Sequence, residues 1–140
     1  MDESLLEIRD YDGEGYKPLI DYGDWRVAIL NFLEVMRPER SDTMERHTET
    51  DEVFVLTRGK GVLLMGGNGP KVDGIYSEVM AICKVYNVKR NAWHSILLSQ
   101  DASVLLVENK DTDKHNTEYF DLSSEHRRQL MEIAQSNQID

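Results

Sequence analysis

Glu45-Arg46-His47-Thr48-Glu49-Thr50-Asp51-Glu52-Val53-Phe54-Val55-Leu56-Thr57-Arg58-Gly59 is the stretch that decides how this 140-residue chain is read. Glu45 and His47 are two residues apart, so on an extended chain they point to the same side. Glu52 opens the next β run, and its face continues with Phe54 and Leu56. That places a carboxylate among apolar side chains, where it is costly unless paired or metal-bound. His94 is in the same position at the head of His94-Ser-Ile96-Leu-Leu98-Ser, with Ile96 and Leu98 on its face. Two histidines and a carboxylate, all at strand starts and facing an apolar interior, suit a divalent transition metal that keeps open coordination positions.

Working outward, the chain reads as short β runs separated by turns. Trp25-Arg-Val-Ala-Ile-Leu-Asn-Phe-Leu-Glu-Val35 is apolar on both faces and is expected to be central, ending at Pro38. A polar loop is expected over 38–46. Glu52–Thr57 and Lys60–Gly66 are joined through Arg58-Gly59, a hairpin signal. Gly66–Pro70 forms a looser turn, Ala81–Val88 a strand, and Gln100-Asp101-Ala102 a turn into Ser103–Asn109. Little helix separates these runs, which predicts an antiparallel sandwich or barrel rather than alternating βαβ units. Ser123–Ser136 is the exception. It has a capping serine, an acid in the first turn, and Leu130, Ile133 and Ala134 at helical spacing. One amphipathic helix is expected there, covering an edge or a dimer contact.

The bulk properties narrow the function. One domain is expected, and a chain of this size can bury a core without disulfides. The 16 basic and 26 acidic residues give a formal charge of −10. So acidic a surface repels nucleic acid and anionic membranes, and neither is expected as a partner. No apolar run approaches the roughly 20 residues that span a bilayer. The acidic N-terminus lacks the apolar segment of a secretory leader. A single cysteine, Cys83, fits a reducing, cytoplasmic setting.

The spacing His47-x4-Glu52-x6-Gly59 resembles the first motif of the cupin superfamily, and His94 sits where the second motif supplies its histidine. The resemblance covers roughly residues 25–110. It implies an all-β double-stranded β-helix, the jelly-roll or cupin barrel, with His47, Glu52 and His94 as metal ligands. Residues 1–24 read as an N-terminal arm or short strands wrapping the domain, with a β-barrel over 25–122 and a C-terminal helix over 123–137. Glu45 stands where the family usually has a further histidine. It either ligates as a second carboxylate or swings out and acts as a general base. The second motif departs further: Lys89, Asn91 and Leu98 replace proline, glycine and asparagine. Asn91 can adopt the positive φ that this turn requires. Cupins commonly pair, so a homodimer through residues 1–24 or the C-terminal helix is expected.

The site suggests a divalent ion (manganese, iron, zinc or nickel) acting on a small polar ligand such as a sugar or hydroxy-acid. Isomerisation or epimerisation suits it, as does oxygen-dependent cleavage if the ion is iron. A non-catalytic binding or sensing module is the alternative, and an inert barrel with vestigial ligands the third reading. His115 and His126 read as surface residues, Glu49 and Asp51 as a solvated loop face, and Cys83 as a small buried side chain in a strand. Trp93 is placed at the pocket mouth or in rim packing. Arg46 and Arg58 are candidate anion holders, Arg58 the more solvent-facing of the two.

Overall fold

The computed structural model describes residues 1–140. Ten strands and one helix follow in chain order: β1 (Gly15–Tyr22), β2 (Trp25–Asn31), β3 (Thr43–His47), β4 (Glu52–Arg58), β5 (Gly61–Met65), β6 (Tyr76–Val79), β7 (Val85–Val88), β8 (His94–Leu98), β9 (Ser103–Asn109), β10 (Thr117–Asp121) and α1 (Ser124–Ser136). They build two five-stranded antiparallel sheets. One has the order β1-β2-β9-β4-β7 and the other β10-β3-β8-β5-β6. From β3 onward the chain passes repeatedly from one sheet to the other, the jelly-roll pattern.

Period-two burial builds the interior. Ala28, Phe54, Leu56, Val104 and Leu106 of the first sheet pack against Leu63 and Leu98 of the second in one buried cluster. The second sheet is apolar on its other face too, with Val62, Leu64 and Leu97 buried there. That face is covered by α1, whose Leu130 and Ala134 are buried against it together with Ile139. Ser123 caps α1 by accepting from the His126 N–H. The helix therefore covers a sheet face rather than an edge. No helix is long and apolar enough to cross a membrane.

Several local expectations are corrected. Arg58-Gly59 is not a hairpin: β4 pairs with β7 and β9, and β5 with β6 and β8. It is a corner between sheets, packed on the corresponding corner at Ser99–Ala102. Gly59 has φ +77°, and a Cβ there would lie 2.6 Å from the Ala102 Cα. A hairpin and a corner carry the same local turn signal, so the strand partners decide between them. Residues 43–47, expected mostly in a loop, form β3. Residues 81–84 form a turn instead of a strand, with Cys83 exposed at φ +64°. Residues 15–22, within the segment read as an arm or short strands, pair along β2 as the outer strand of the first sheet.

Candidate metal site

His47 ends β3, Glu52 begins β4 and His94 begins β8, so the β3–β4 and β7–β8 loops place three side chains at one end of the interior. All three are buried. His47 is at the end of its strand, and the other two are at strand starts as expected. Glu52 Oε1 lies 3.1 Å from His47 Nε2 and 3.2 Å from His94 Nε2. The imidazole centroids are 5.2 Å apart, and Phe54 packs edge-on against His94.

The outer ring nitrogens are held as well. His94 Nδ1 lies 3.0 Å from the Ala92 carbonyl oxygen, and His47 Nδ1 lies 3.0 Å from Thr117 Oγ1. A carbonyl only accepts, so His94 Nδ1 carries the proton. In a neutral ring, Nε2 then turns its lone pair toward the Glu52 carboxylate. Acceptor faces acceptor unless a cation sits among them. That donor chemistry fits a divalent metal ion, as do ring orientations held from behind.

The turn carrying His94 is fastened to His47. Asn91 adopts φ +68°, and its N–H donates to the His47 carbonyl. Asp51 accepts from the Arg90 N–H and from Asn87 Nδ2, so it anchors this loop and is more than a solvated acid.

Glu45 pairs in register with His94, and its Oε1 lies 3.8 Å from His47 Nε2. Its side chain is 41% exposed, against 7% for Glu52. Glu45 therefore stands on the open side of the cluster.

Sequence reading missed Glu108 and Tyr16. Glu108 is buried on β9, on the same face as Leu106 and Val104. It accepts a 2.8 Å hydrogen bond from the Tyr16 hydroxyl of β1. Period two along Ser103–Asn109 was the available signal, because it puts Glu108 inside with Leu106. Tyr16 had no such signal, since its place depends on the β1–β2 pairing.

Electrostatics tie the group together. Burial alone would raise the Glu52 pKa, but hydrogen bonding from His47 and His94 in their imidazolium forms outweighs it and holds the carboxyl below its ordinary range. Burial would likewise lower His47, and the Glu52 carboxylate outweighs this and raises it. Glu108 is pushed up to about 8, first by burial and then by the negative charge of Glu52.

The cluster opens into a cavity of about 700 Å³, lined also by Tyr16, Arg40, Thr43, Lys114 and Tyr119. Neither Arg46 nor Arg58 lines it. Arg46 stacks over Trp93 at 4.3 Å and pairs with Glu118, and Arg58 bonds the Asp101 carbonyl. Trp93 is buried under the helix-covered face, not at the cavity mouth. His115 is exposed and bonded to Asp113, and His126 lies on the outside of the sheets in α1.

No family model matches the chain. Auxin-binding protein 4 of Zea mays is 27% identical over 115 residues, covering 76% of this chain and 55% of that protein. The chain thus spans about half the length of that relative. The Streptomyces protein PAC13, solved with uridine, superposes with a TM-score of 0.56 at 10% identity, covering 82% of this chain and 85% of that one. CapF of Staphylococcus aureus, a capsular polysaccharide assembling protein, gives 0.57 at 18% identity over 87% of this chain and 34% of its own. The chain has the fold of a small cupin. Within this fold two overlapping groups could hold a metal ion: Glu45, His47 and His94, and the wholly buried His47, Glu52 and Glu108.

Proposed function

We propose that this cupin holds a divalent transition-metal ion through His47, Glu52 and His94 and binds a small polar metabolite, such as a sugar or hydroxy-acid, over it. The observation that carries this reading is the convergence of two imidazole Nε2 atoms on one carboxylate oxygen, at 3.1 and 3.2 Å. The cavity volume suits such a ligand, since small-molecule pockets span roughly 300–1,000 Å³. Its hydroxyl-bearing residues, Tyr16, Thr43, Thr117 and Tyr119 among them, suit a ligand rich in hydroxyls. The names of two similar proteins, one auxin-binding and one solved with uridine, support a small-molecule role.

When bound, a divalent ion supplies Lewis-acid polarisation of a ligand oxygen. Thr117 and the Ala92 carbonyl hold the two imidazoles in orientation. Glu45, half-exposed on the open side, is the group placed to take a proton from a bound hydroxyl or from a carbon beside a carbonyl. Isomerisation or epimerisation is the chemistry this arrangement suits. Metal analysis of protein purified without chelators tests the reading. A stoichiometric divalent ion is expected, lost in His47→Ala and in His94→Ala. A metal-free wild type of full thermal stability would sink it. Bound metal with no turnover across sugars and hydroxy-acids would assign a binding role instead.

We also infer a homodimer. On the outer face of the first sheet, Val27, Val107 and Val53 form one cross-strand row and Ile29, Leu105 and Val55 the next. All six are partly exposed in the single chain, and no helix covers them. Strands about 4.8 Å apart make this five-stranded face about 20 Å across, the scale of an interface burying roughly 800 Å² per partner. Sedimentation should show a dimer that Val55→Lys dissociates, and a monomeric wild type would reject it. The exposed, unpaired Cys83 thiol suits a reducing compartment such as the cytoplasm.

A further inference from the structure

Two carboxylates, Glu52 and Glu108, are buried together in this cavity, and neither has a lysine or arginine within ion-pair distance. Arg26, the cross-strand neighbour of Glu108, is engaged by Asp21 at 3.0 Å instead. Buried carboxylates without cationic partners are strongly unfavourable. With both carboxyls ionised and the imidazoles neutral the group carries two negative charges, which one divalent ion balances.

We propose that Glu108 is the fourth protein ligand of the metal ion, oriented by Tyr16, and that Glu45 is left free to meet the bound ligand. This rests on the metal-site reading above. Ligand atoms of His47, Glu52 and Glu108 all lie within 4.8 Å of one another, and all three residues are buried. Glu108 is 7% exposed. Its Oε1 takes the Tyr16 hydroxyl, and its carboxyl stands against that of Glu52. A hydrogen bond to the far oxygen is how an outer partner orients a ligating carboxylate. Glu45 belongs to a different triple, with His47 and His94, and is the exposed member of it. The second carboxylate of the site thus comes from β9, not from the position that the His47-x4-Glu52 motif places beside the ligands.

Cobalt(II) titration of the full chain, by calorimetry and by visible absorption, tests this on wild type, Glu108→Gln, Glu45→Gln and Tyr16→Phe. Melting curves without metal establish that each variant is folded. Glu108→Gln should lose at least about 100-fold in affinity and change the cobalt spectrum. Tyr16→Phe should lose roughly 10-fold, the size of an outer-partner effect. Glu45→Gln should stay within about 3-fold of wild type and keep its spectrum. Wild-type affinity and spectrum in Glu108→Gln would overturn the assignment while leaving the three-ligand site standing. A large loss confined to Glu45→Gln would put Glu45 in its place. A wild type that binds no cobalt, manganese or zinc would overturn the metal reading itself, and this inference with it.

Discussion

Three strands change character along their own length. On β4 the inward side chains run Glu52, Phe54, Leu56; on β8, His94, Ile96, Leu98; on β9, in the opposite sense, Glu108, Leu106, Val104. One end of the interior is therefore dry and close-packed. The other collects the polar groups beside a cavity of about 700 Å³. The backbone ladders continue through both ends, so pairing does not distinguish them. The difference lies in what each inward residue has as a partner. At the dry end every neighbour is hydrocarbon. At the other, Glu52 and Glu108 face each other with no lysine or arginine within ion-pair distance of either, and the arrangement is stable only with protons or a metal ion in place. One end holds the fold, and the other is the candidate site.

Truncating the dry end should have the largest effect. Phe54→Ala removes a ring that is 3% exposed and contacts both sheets, and should cost about 3–5 kcal/mol in chemical denaturation. Leu56→Ala should cost about 2–5 kcal/mol. Glu52→Gln, two residues from Phe54 on the same strand, should cost the metal-free fold less than either truncation while abolishing metal binding. Equal destabilisation by Glu52→Gln and Phe54→Ala would break the comparison.

Gly59→Ala tests the corner that closes the dry end. The new methyl would meet backbone at 2.6 Å, with φ +77° adding strain. A loss of about 2 kcal/mol or more is expected, read as a lowered denaturant midpoint with metal affinity retained.

The polar end predicts a pH dependence for metal-free protein. Glu108 has a folded pKa raised to about 8, so its contribution is full below its ordinary carboxyl range and is lost as pH rises toward 8. His47 is also raised, so its contribution is full below about 6.5 and fades as pH rises above that. Glu52, held low, loses its contribution only in acid. The melting temperature should therefore fall between about pH 4.5 and 8, as first Glu108 and then His47 lose their contributions, and Glu108→Gln should flatten that slope. A flat wild-type profile would contradict the charge balance argued here.

The two ends were also unequally legible in the sequence. The dry end follows from alternation, because Phe54, Leu56, Ile96 and Leu98 announce their face by period two. His47, Glu52 and His94 were legible through their spacing and through the cost of burying a carboxylate. Glu108 was legible in principle, yet Asn109 and Lys110 beside it give the strand end a polar, loop-like look. Tyr16 was not legible, because its contact spans 92 residues and depends on which strand β1 joins. The corners misled for a related reason: Arg58-Gly59 reads identically whether the next strand pairs with β4 or crosses to the other sheet. Cys83 was misplaced because apolar Ala81 and Ile82 extend the β7 pattern past the turn that ends it.

The smallest effect is expected at Asn91, where the polar end is joined to its loop. Its φ of +68° lies in the left-handed region, which asparagine tolerates and alanine does not. Asn91→Ala should cost about 1 kcal/mol, and Asn91→Gly should be neutral within about 0.5 kcal/mol, since glycine meets no steric penalty there. The hydrogen bond from residue 91 to the His47 carbonyl is backbone to backbone, so both variants keep it. Metal affinity should then move less than stability does in either variant. If Asn91→Ala instead loses the metal at unchanged stability, the turn sets the position of His94 directly. The polar end would then be held by its loop, not by the strands it shares with the dry end.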